Sequence, residues 1–258
     1  MEEIMQSNSF FIIPLTIAYG SICGLWFWLD KNGKSWNLES IKSSTHPWLD
    51  FGIALVVCIA VMGVGQLFSA GYLIPRTENT IINQALIWPL NNVIIFSPIF
   101  FVLIIRKQDL NTIFISTNQI LRKLALGFVA SIIGIVIFTG IRGEWARIPE
   151  IFTSSAQLKT LSNFPAIFFE NVALAFLFVR LKWATGTKWA IGIPAILFAF
   201  AHVPGSIAEG DPIGHILTFF FLTGGLTTFI LYTAYRSRDI IWLGVVHYLM
   251  DVTIKAFG

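Results

Sequence analysis

The stretch FGIALVVCIAVMGVGQLF, residues 51–68, runs for eighteen residues without a charged side chain. A helix needs roughly 20 predominantly apolar residues to cross the hydrocarbon core of a bilayer. Similar blocks recur along the 258 residues, of which 55% are hydrophobic and only 12% are charged. Soluble domains carry about 25% charged residues, so the sequence lacks the polar surface of a water-soluble fold. The composition therefore indicates an integral membrane protein.

Eight apolar blocks are long enough to be interpreted as membrane-spanning helices. We predict an all-α, polytopic transmembrane helical bundle with about eight spans, and a single membrane domain over residues 1–258. The formal net charge is +3 and the basic residues form no run, which argues against a nucleic-acid partner. The predicted spans cover residues 10–29, 50–74, 85–105, 124–141, 164–181, 189–207, 213–235 and 240–256.

Lysine and arginine are distributed unevenly between the two sides of the membrane that these spans define. The loops after the first, third, fifth and seventh spans receive 12 of the 17 Lys and Arg residues, among them Lys123 and Arg180 at span edges. Cytoplasmic loops carry an excess of these residues. We therefore predict a multi-pass protein of the cell membrane with both termini on the non-cytoplasmic side.

Four ionisable side chains lie inside the predicted spans: Glu170, His202, His247 and Asp251. Such groups are costly at membrane depth and usually face a protein interior or a water-filled cavity. Each has a purely structural interpretation as a hydrogen-bond partner of a neighbouring helix, and we expect Pro204 to disrupt the helix just after His202. The predicted topology nevertheless places all four at similar depth in the non-cytoplasmic half of the bilayer. This agreement favours one shared polar cavity.

Two mechanisms are compatible with two imidazoles and two carboxylates in one cavity. In the first, Glu170 takes a proton from water with the help of His202, and His247 stabilises the oxyanion that forms during amide hydrolysis. In the second, His202, His247 and Glu170 bind Zn²⁺ and leave an open position for water. The H-E-x-x-H zinc motif is absent from the sequence, so no specific spacing supports the metal.

At these residues the chain resembles the CPBP family of CAAX prenyl proteases and bacteriocin-processing membrane proteases, also called the Abi family. The family has three motifs on separate transmembrane helices: Glu-Glu-x-x-x-Arg, Phe-x-x-x-His, and His-x-x-x-Asn or Asp. The second is matched by Phe198 to His202 within LFAFAHVP, and the third by His247 to Asp251. The resemblance covers about residues 164–255, which we predict to be a CPBP-like catalytic core.

The first motif departs from the family pattern. Glu170 matches its first glutamate, but Asn171 replaces the second and Ala175 stands where arginine is expected. Loss of the second glutamate together with the arginine removes a potential ion pair and leaves neither charge without a partner. The water-activating residue that the resemblance implies, Glu170, is retained.

The resemblance implies an intramembrane endopeptidase that cleaves a membrane-anchored or lipid-modified peptide. Its partners would be membrane lipids and the peptide or lipopeptide substrate, and it would require no cofactor unless Zn²⁺ assists. The roles that follow are Glu170 as the base, His202 as its partner, His247 with Asp251 as the oxyanion and orienting pair, and Asn171 and Phe198 as substrate contacts.

Two other functions remain open from the sequence. A non-catalytic membrane scaffold or bacteriocin-immunity protein would bind a peptide in the same cavity without hydrolysis, and the departures at Asn171 and Ala175 favour it. A proton-coupled transporter would use the intramembrane carboxylates and histidines as a proton relay. The sequence shows no paired repeats of the kind that many transporters have.

Overall fold

The fold is helical in every part of the chain that the structure describes, and no β-strand occurs there. The computed structural model describes the chain except residues 1, 34–40, 70, 72–79, 82, 209, 211 and 258, and describes no side chains at residues 2–12, 69, 84, 205, 206 and 208. Within the described residues the α-helices are α1 (Glu2–Lys31), α2 (Pro47–Ser69), α3 (Trp88–Ile105), α4 (Ile120–Arg142), α5 (Ile148–Ala156), α6 (Leu158–Leu161), α7 (Phe164–Thr185), α8 (Thr187–Ala208), α9 (Ile213–Ser237) and α10 (Ile241–Phe257).

The predicted all-α bundle is confirmed, and each of the eight predicted spans coincides with one long helix. The second span was predicted to continue to residue 74. That end is wrong, because Gly71 lies in a turn with a φ of +76°; residues 72–74 themselves lie outside the described residues. The sequence also gave no indication of α5 and α6, which are nine and four residues long and too short to be recognised as spans.

Among the residues that the structure describes, six segments are long and apolar enough to cross a membrane, by length and composition. α10 has only 17 residues, and neither it nor α1 is among the six, so the count of about eight spans stays a prediction. The six segments are Pro47–Phe68, Ala85–Ile105, Ile120–Arg142, Leu158–Thr185, Thr187–Pro204 and Ile213–Ser237.

Large apolar side chains point outward from the bundle, while polar ones are enclosed within it. Ile59 is 68% exposed and Ile104 is 75% exposed, whereas Ser131 and Thr139 are fully buried. This arrangement suits a solvent of lipid tails, in which apolar exposure is not penalised and polar groups need internal partners. The chain is therefore a multi-pass membrane protein.

The helix α4 packs against both α1 and α10, and small residues permit the close approach. A Cβ atom on Gly127 would lie 2.6 Å from the carbonyl oxygen of Trp242, and one on Gly134 would lie 2.6 Å from Cδ1 of Ile22. Helices in membranes associate through such small residues because the backbones can then come into contact. Gly127 and Gly134 thereby fix α10, which carries two of the candidate site residues, against the N-terminal half of the chain.

The helix α8 continues through Pro204 and ends at Ala208. A proline removes one backbone hydrogen bond and crowds the preceding turn, but neighbouring helices of a membrane bundle can satisfy the freed groups. The expectation that Pro204 disrupts the helix after His202 is therefore wrong. His202 lies on continuous helix rather than at a helix end.

Arg180 is buried within α7, although its sequence position predicts that it belongs to the loop after the fifth span, on the side of the membrane rich in lysine and arginine. It is 1% exposed, and its Nη1 donates to the carbonyl oxygen of Thr112 at 2.6 Å. Its Nη2 donates to Oε1 of Gln108 at 2.5 Å and to Oγ1 of Thr112 at 3.0 Å. Neutral oxygens thus satisfy the guanidinium group and connect α7 to the segment before α4.

Candidate functional site

Glu170 and His202 lie at the same height in a helical hairpin. α7 and α8 pack against each other and are joined at Gly186, whose φ of +87° suits glycine and lets the chain reverse. Glu170 precedes this glycine by 16 residues, and His202 follows it by 16 residues. At a rise of about 1.5 Å per residue, each lies about 24 Å along its helix from the turn. Helix geometry alone therefore brings them to the same end of the bundle.

The helix α10 approaches α7 closely at Gly244. A Cβ atom at this position would lie 2.7 Å from Cδ2 of Phe168, so a larger residue would push the two helices apart. His247 follows on the same face of α10, and its Nδ1 lies 3.2 Å from Oδ1 of Asn171. Asn171, predicted to contact substrate, is 2% exposed. In the structure it holds the imidazole of His247.

The imidazole of His202 is fixed by its own helix. Its Nδ1 lies 2.8 Å from the carbonyl oxygen of Phe198. Because a carbonyl oxygen only accepts, Nδ1 carries the proton and Nε2 of the neutral ring keeps its lone pair. The ring of Phe198 packs edge-on with its centroid 4.6 Å from that of His202. The structure thus packs the ring of Phe198 against His202, and its predicted contact with substrate stays a prediction.

Asp251 is paired with Lys255, one turn further along α10. The Nζ of Lys255 donates to Oδ2 of Asp251 at 2.7 Å, and the Asp251 side chain remains 28% exposed. The hydrogen-bond partner of His247 is Asn171, while the charge of Asp251 acts on His247; the orienting role of Asp251 stays a prediction. An ionised carboxylate held by Lys255 accepts hydrogen bonds and donates none.

Electrostatic interactions connect all four predicted residues. His247 interacts with both Asp251 and His202, and Glu170 interacts with Asp251. Glu170 is half-buried, and within the described residues no side chain or backbone group donates a hydrogen bond to its carboxylate. The structure thus brings Glu170, His202, His247 and Asp251 into one charge-coupled group, without a direct hydrogen bond between Glu170 and either imidazole among the described atoms.

Tyr19 of α1 also lies near this group, and no sequence motif pointed to it. Its side chain is 4% exposed and lies within electrostatic range of the Asp251 carboxylate. One tyrosine in an apolar span usually reports packing or an interface position. Only the packing of α1 against α4, and of α4 against α10, brings Tyr19 to the site.

The departure at Ala175 is accommodated in the packing of α7. Ala175 is 1% exposed and belongs to the hydrophobic core of the bundle. An arginine would need space and a counter-charge at this position. The apolar surroundings of Ala175 would not accommodate the arginine of the family pattern. The glutamate that would pair with it is also missing, because Asn171 is neutral.

Within the described residues, no three His, Cys, Asp or Glu side chains are grouped so that they could hold a metal ion. The set that the sequence suggested for Zn²⁺ was His202, His247 and Glu170. These residues do not form a ready ligand set here. The metal-assisted mechanism therefore stays a hypothesis.

The C-terminal part of the chain is similar to a known protein family. Residues 153–253 match the family model described as Type II CAAX prenyl endopeptidase Rce1-like. This match confirms the resemblance to the CPBP family and covers α6 to α9 together with the end of α5 and most of α10. The family consists of proteases, which are hydrolases. No curated protein and no solved structure gives a significant match to the chain.

Proposed function

We propose that this chain, whose C-terminal part is similar to CAAX prenyl endopeptidases, is an intramembrane endopeptidase. Its substrate would be a membrane-anchored or lipid-modified peptide, which reaches the site from the bilayer. Glu170 would activate the hydrolytic water, with His202 as its partner. The observation that carries this proposal is the convergence of Glu170, His202 and His247 from three different helices at one end of a membrane bundle.

The chemistry follows from the protonation states that the contacts favour. A water molecule between Glu170 and Nε2 of His202 can donate to both, because both offer lone pairs. Glu170 takes a proton as the water oxygen attacks the carbonyl carbon of the scissile amide. The resulting oxyanion forms near His247. When the C–N bond breaks, the same proton passes from Glu170 to the amine that leaves, and a carboxylic acid is the second product.

Asp251 would contribute charge rather than a hydrogen bond to the substrate. Its charge acts on both Glu170 and His247. Its carboxylate is held by Lys255. We assign Asp251 the role of orienting and balancing the site electrostatically.

The test is a cleavage assay with the purified full chain in proteoliposomes. The probe is an internally quenched peptide that ends in a prenylated CAAX sequence, compared with its unprenylated twin. Glu170→Gln and His202→Gln should each lower kcat by a factor of 100 or more, in line with removal of a general base. Matched controls are Glu150→Gln and His46→Gln, both at exposed positions. Cleavage at full rate by Glu170→Gln would refute the assignment.

A second candidate function is a non-catalytic scaffold that binds a peptide in the same cavity. The observation in its favour is the neutral pair Asn171 and Ala175, where the family motif has two charges. The same variant separates the two functions. If the unsubstituted chain binds the prenylated peptide without cleaving it, and Glu170→Gln binds it equally well, the scaffold replaces the enzyme.

A further inference from the structure

The contact between Asn171 and His247 determines which imidazole nitrogen carries the proton. With Oδ1 of Asn171 facing Nδ1 of His247, at 3.2 Å, Nδ1 must donate, and Nε2 keeps a lone pair. A half-turn of the amide exchanges its two ends. Nδ2 then faces Nδ1 and donates to it, so that the proton of the neutral imidazole lies on Nε2.

The burial of the amide favours the second arrangement. In the first, Nδ2 of Asn171 is buried and has no hydrogen-bond partner among the described residues. Both of its N–H groups would then be unsatisfied in a residue that is only 2% exposed. In the second, one N–H binds Nδ1 of His247, and the end left without a donor is an oxygen. Buried carbonyl oxygens without a full set of partners are better tolerated than buried N–H groups.

The chemistry of the site requires the same arrangement. An oxyanion is stabilised by hydrogen-bond donors, but the neighbouring groups are mostly acceptors. Nε2 of His202 has a lone pair because its Nδ1 donates to a carbonyl oxygen. Glu170 must accept a proton, and Asp251 is a carboxylate whose partner is Lys255. Among the side chains of the three motifs, Nε2 of His247 can supply a donor without a change of net charge.

We propose that Asn171 donates a hydrogen bond to Nδ1 of His247 and thereby holds His247 as the Nε2–H tautomer, which donates to the oxyanion. The tautomer follows from turning the amide so that its buried Nδ2 gains a partner, whereas its use in catalysis rests on the proposed function. Asn171 is thus a positioning residue that acts through His247. A carboxylate at this position would accept from Nδ1–H and hold the opposite tautomer, so the departure from the family motif at residue 171 changes what His247 can do.

The test is nitrogen NMR of the full chain in lipid nanodiscs, with ¹⁵N-labelled histidine at pH 8, where an ordinary imidazole is neutral. The chain has four histidines, and His247→Gln identifies the signals of His247. In the unsubstituted chain, Nε2 of His247 should be protonated and Nδ1 unprotonated. Asn171→Asp should move the proton to Nδ1. Asn163→Asp, at the start of the same helix, is the matched control and should leave both signals unchanged.

Kinetics of the same variants connect the tautomer to catalysis. Asn171→Asp should lower kcat on the order of 100-fold with little change in KM, as when one oxyanion donor is lost. A proton on Nδ1 of His247 in the unsubstituted chain would overturn the proposal, whether or not Asn171→Asp folds. So would a tautomer that Asn171→Asp leaves unchanged. If the tautomer switches as expected but no variant or parent cleaves peptide, the proposed function fails while the assignment of Asn171 to His247 stands.

Discussion

The Nζ of Lys123 and Oδ2 of Asp239 lie 2.6 Å apart, with 1% and 0% of the two side chains exposed. Lys123 also donates to the carbonyl oxygen of Ser116 at 2.7 Å. Oδ1 of Asp239 accepts from the backbone N–H of Ile241 at 2.8 Å, which caps the first turn of α10. The ion pair therefore joins the start of α4 to the start of the helix that carries His247.

Removal of one partner from this pair should be strongly destabilising. Lys123→Met leaves a buried carboxylate without its cation, and Asp239→Asn leaves a buried ammonium group without its anion. We expect each single variant to lose about 3–5 kcal/mol of the free energy of unfolding. The double variant should recover most of this loss, because both charges are gone and asparagine still caps α10. SDS titration of the protein in mixed micelles measures these values.

An exposed ion pair provides the comparison for the buried one. Oε2 of Glu144 lies 3.5 Å from Nε of Arg147, and the two side chains are 43% and 40% exposed. Glu144→Gln should therefore change the free energy of unfolding by less than about 1 kcal/mol. If Lys123→Met were as mild as Glu144→Gln, or if the double variant lost the sum of the two single losses, the ion pair would not have the role described.

Gly127→Ala should be destabilising because α4 and α10 touch at this position. The added Cβ would lie 2.6 Å from the carbonyl oxygen of Trp242 and 2.8 Å from Cβ of Val245. Overpacking of this kind costs about 1–3 kcal/mol. Gly24→Ala is the matched control, since nothing lies within 4 Å of its Cβ position and alanine is the better helix former. Gly127→Ala should lower the SDS concentration at which half of the protein is unfolded, and Gly24→Ala should raise it. A shift of both in the same direction would contradict the close packing at Gly127.

The long helices were predictable because the requirement that produces them is local. A segment such as residues 51–68 has no charged side chain, and lipid leaves its backbone few alternatives to a helix. The ends were less predictable, because lysine and arginine near a span edge look alike whether they are solvated or buried. Lys123 and Arg180 were both assigned to loops, yet each is 1% exposed, since Asp239 and Thr112 supply partners from distant parts of the chain.

The candidate site was predictable only as a set of residue types. The motifs on α7, α8 and α10 predicted Glu170, His202, His247 and Asp251, and the structure brings these four together. The sequence could not indicate which side chains of the site form hydrogen bonds with one another. The contact of Asn171 with His247 depends on the close approach at Gly244.

Tyr19→Phe should slow catalysis with little effect on stability. The substitution removes only the hydroxyl, which lies within electrostatic range of Asp251, and the ring continues to fill its buried position. An apolar ring edge would then replace a polar group near the carboxylate whose charge acts on Glu170 and His247. We expect kcat to fall about tenfold, the equivalent of about 1.4 kcal/mol of transition-state stabilisation. Tyr232→Phe, at a position that is 39% exposed, is the control in the same peptide-cleavage assay. Equal rates for Tyr19→Phe and the parent chain would remove Tyr19 from the site.

Phe198→Ala separates two possible roles of the aromatic side chain that packs beside the imidazole of His202. If Phe198 contacts substrate, as the sequence predicts, its loss should raise KM. The structure places its ring 4.6 Å from that of His202, so its loss should instead let the imidazole adopt other rotamers. A small misplacement of a catalytic group can cost about 100-fold in rate.

We therefore expect Phe198→Ala to lower kcat by about 10- to 100-fold and to leave KM nearly unchanged. Phe200→Ala is the matched control, because Phe200 lies two residues further on the same helix, is 58% exposed and packs on Phe220 instead. A rise in KM at constant kcat for Phe198→Ala would assign the ring to substrate binding. It would also show that the hydrogen bond from Nδ1 of His202 to the Phe198 carbonyl oxygen is sufficient to hold the imidazole, because the backbone of residue 198 is retained in the variant.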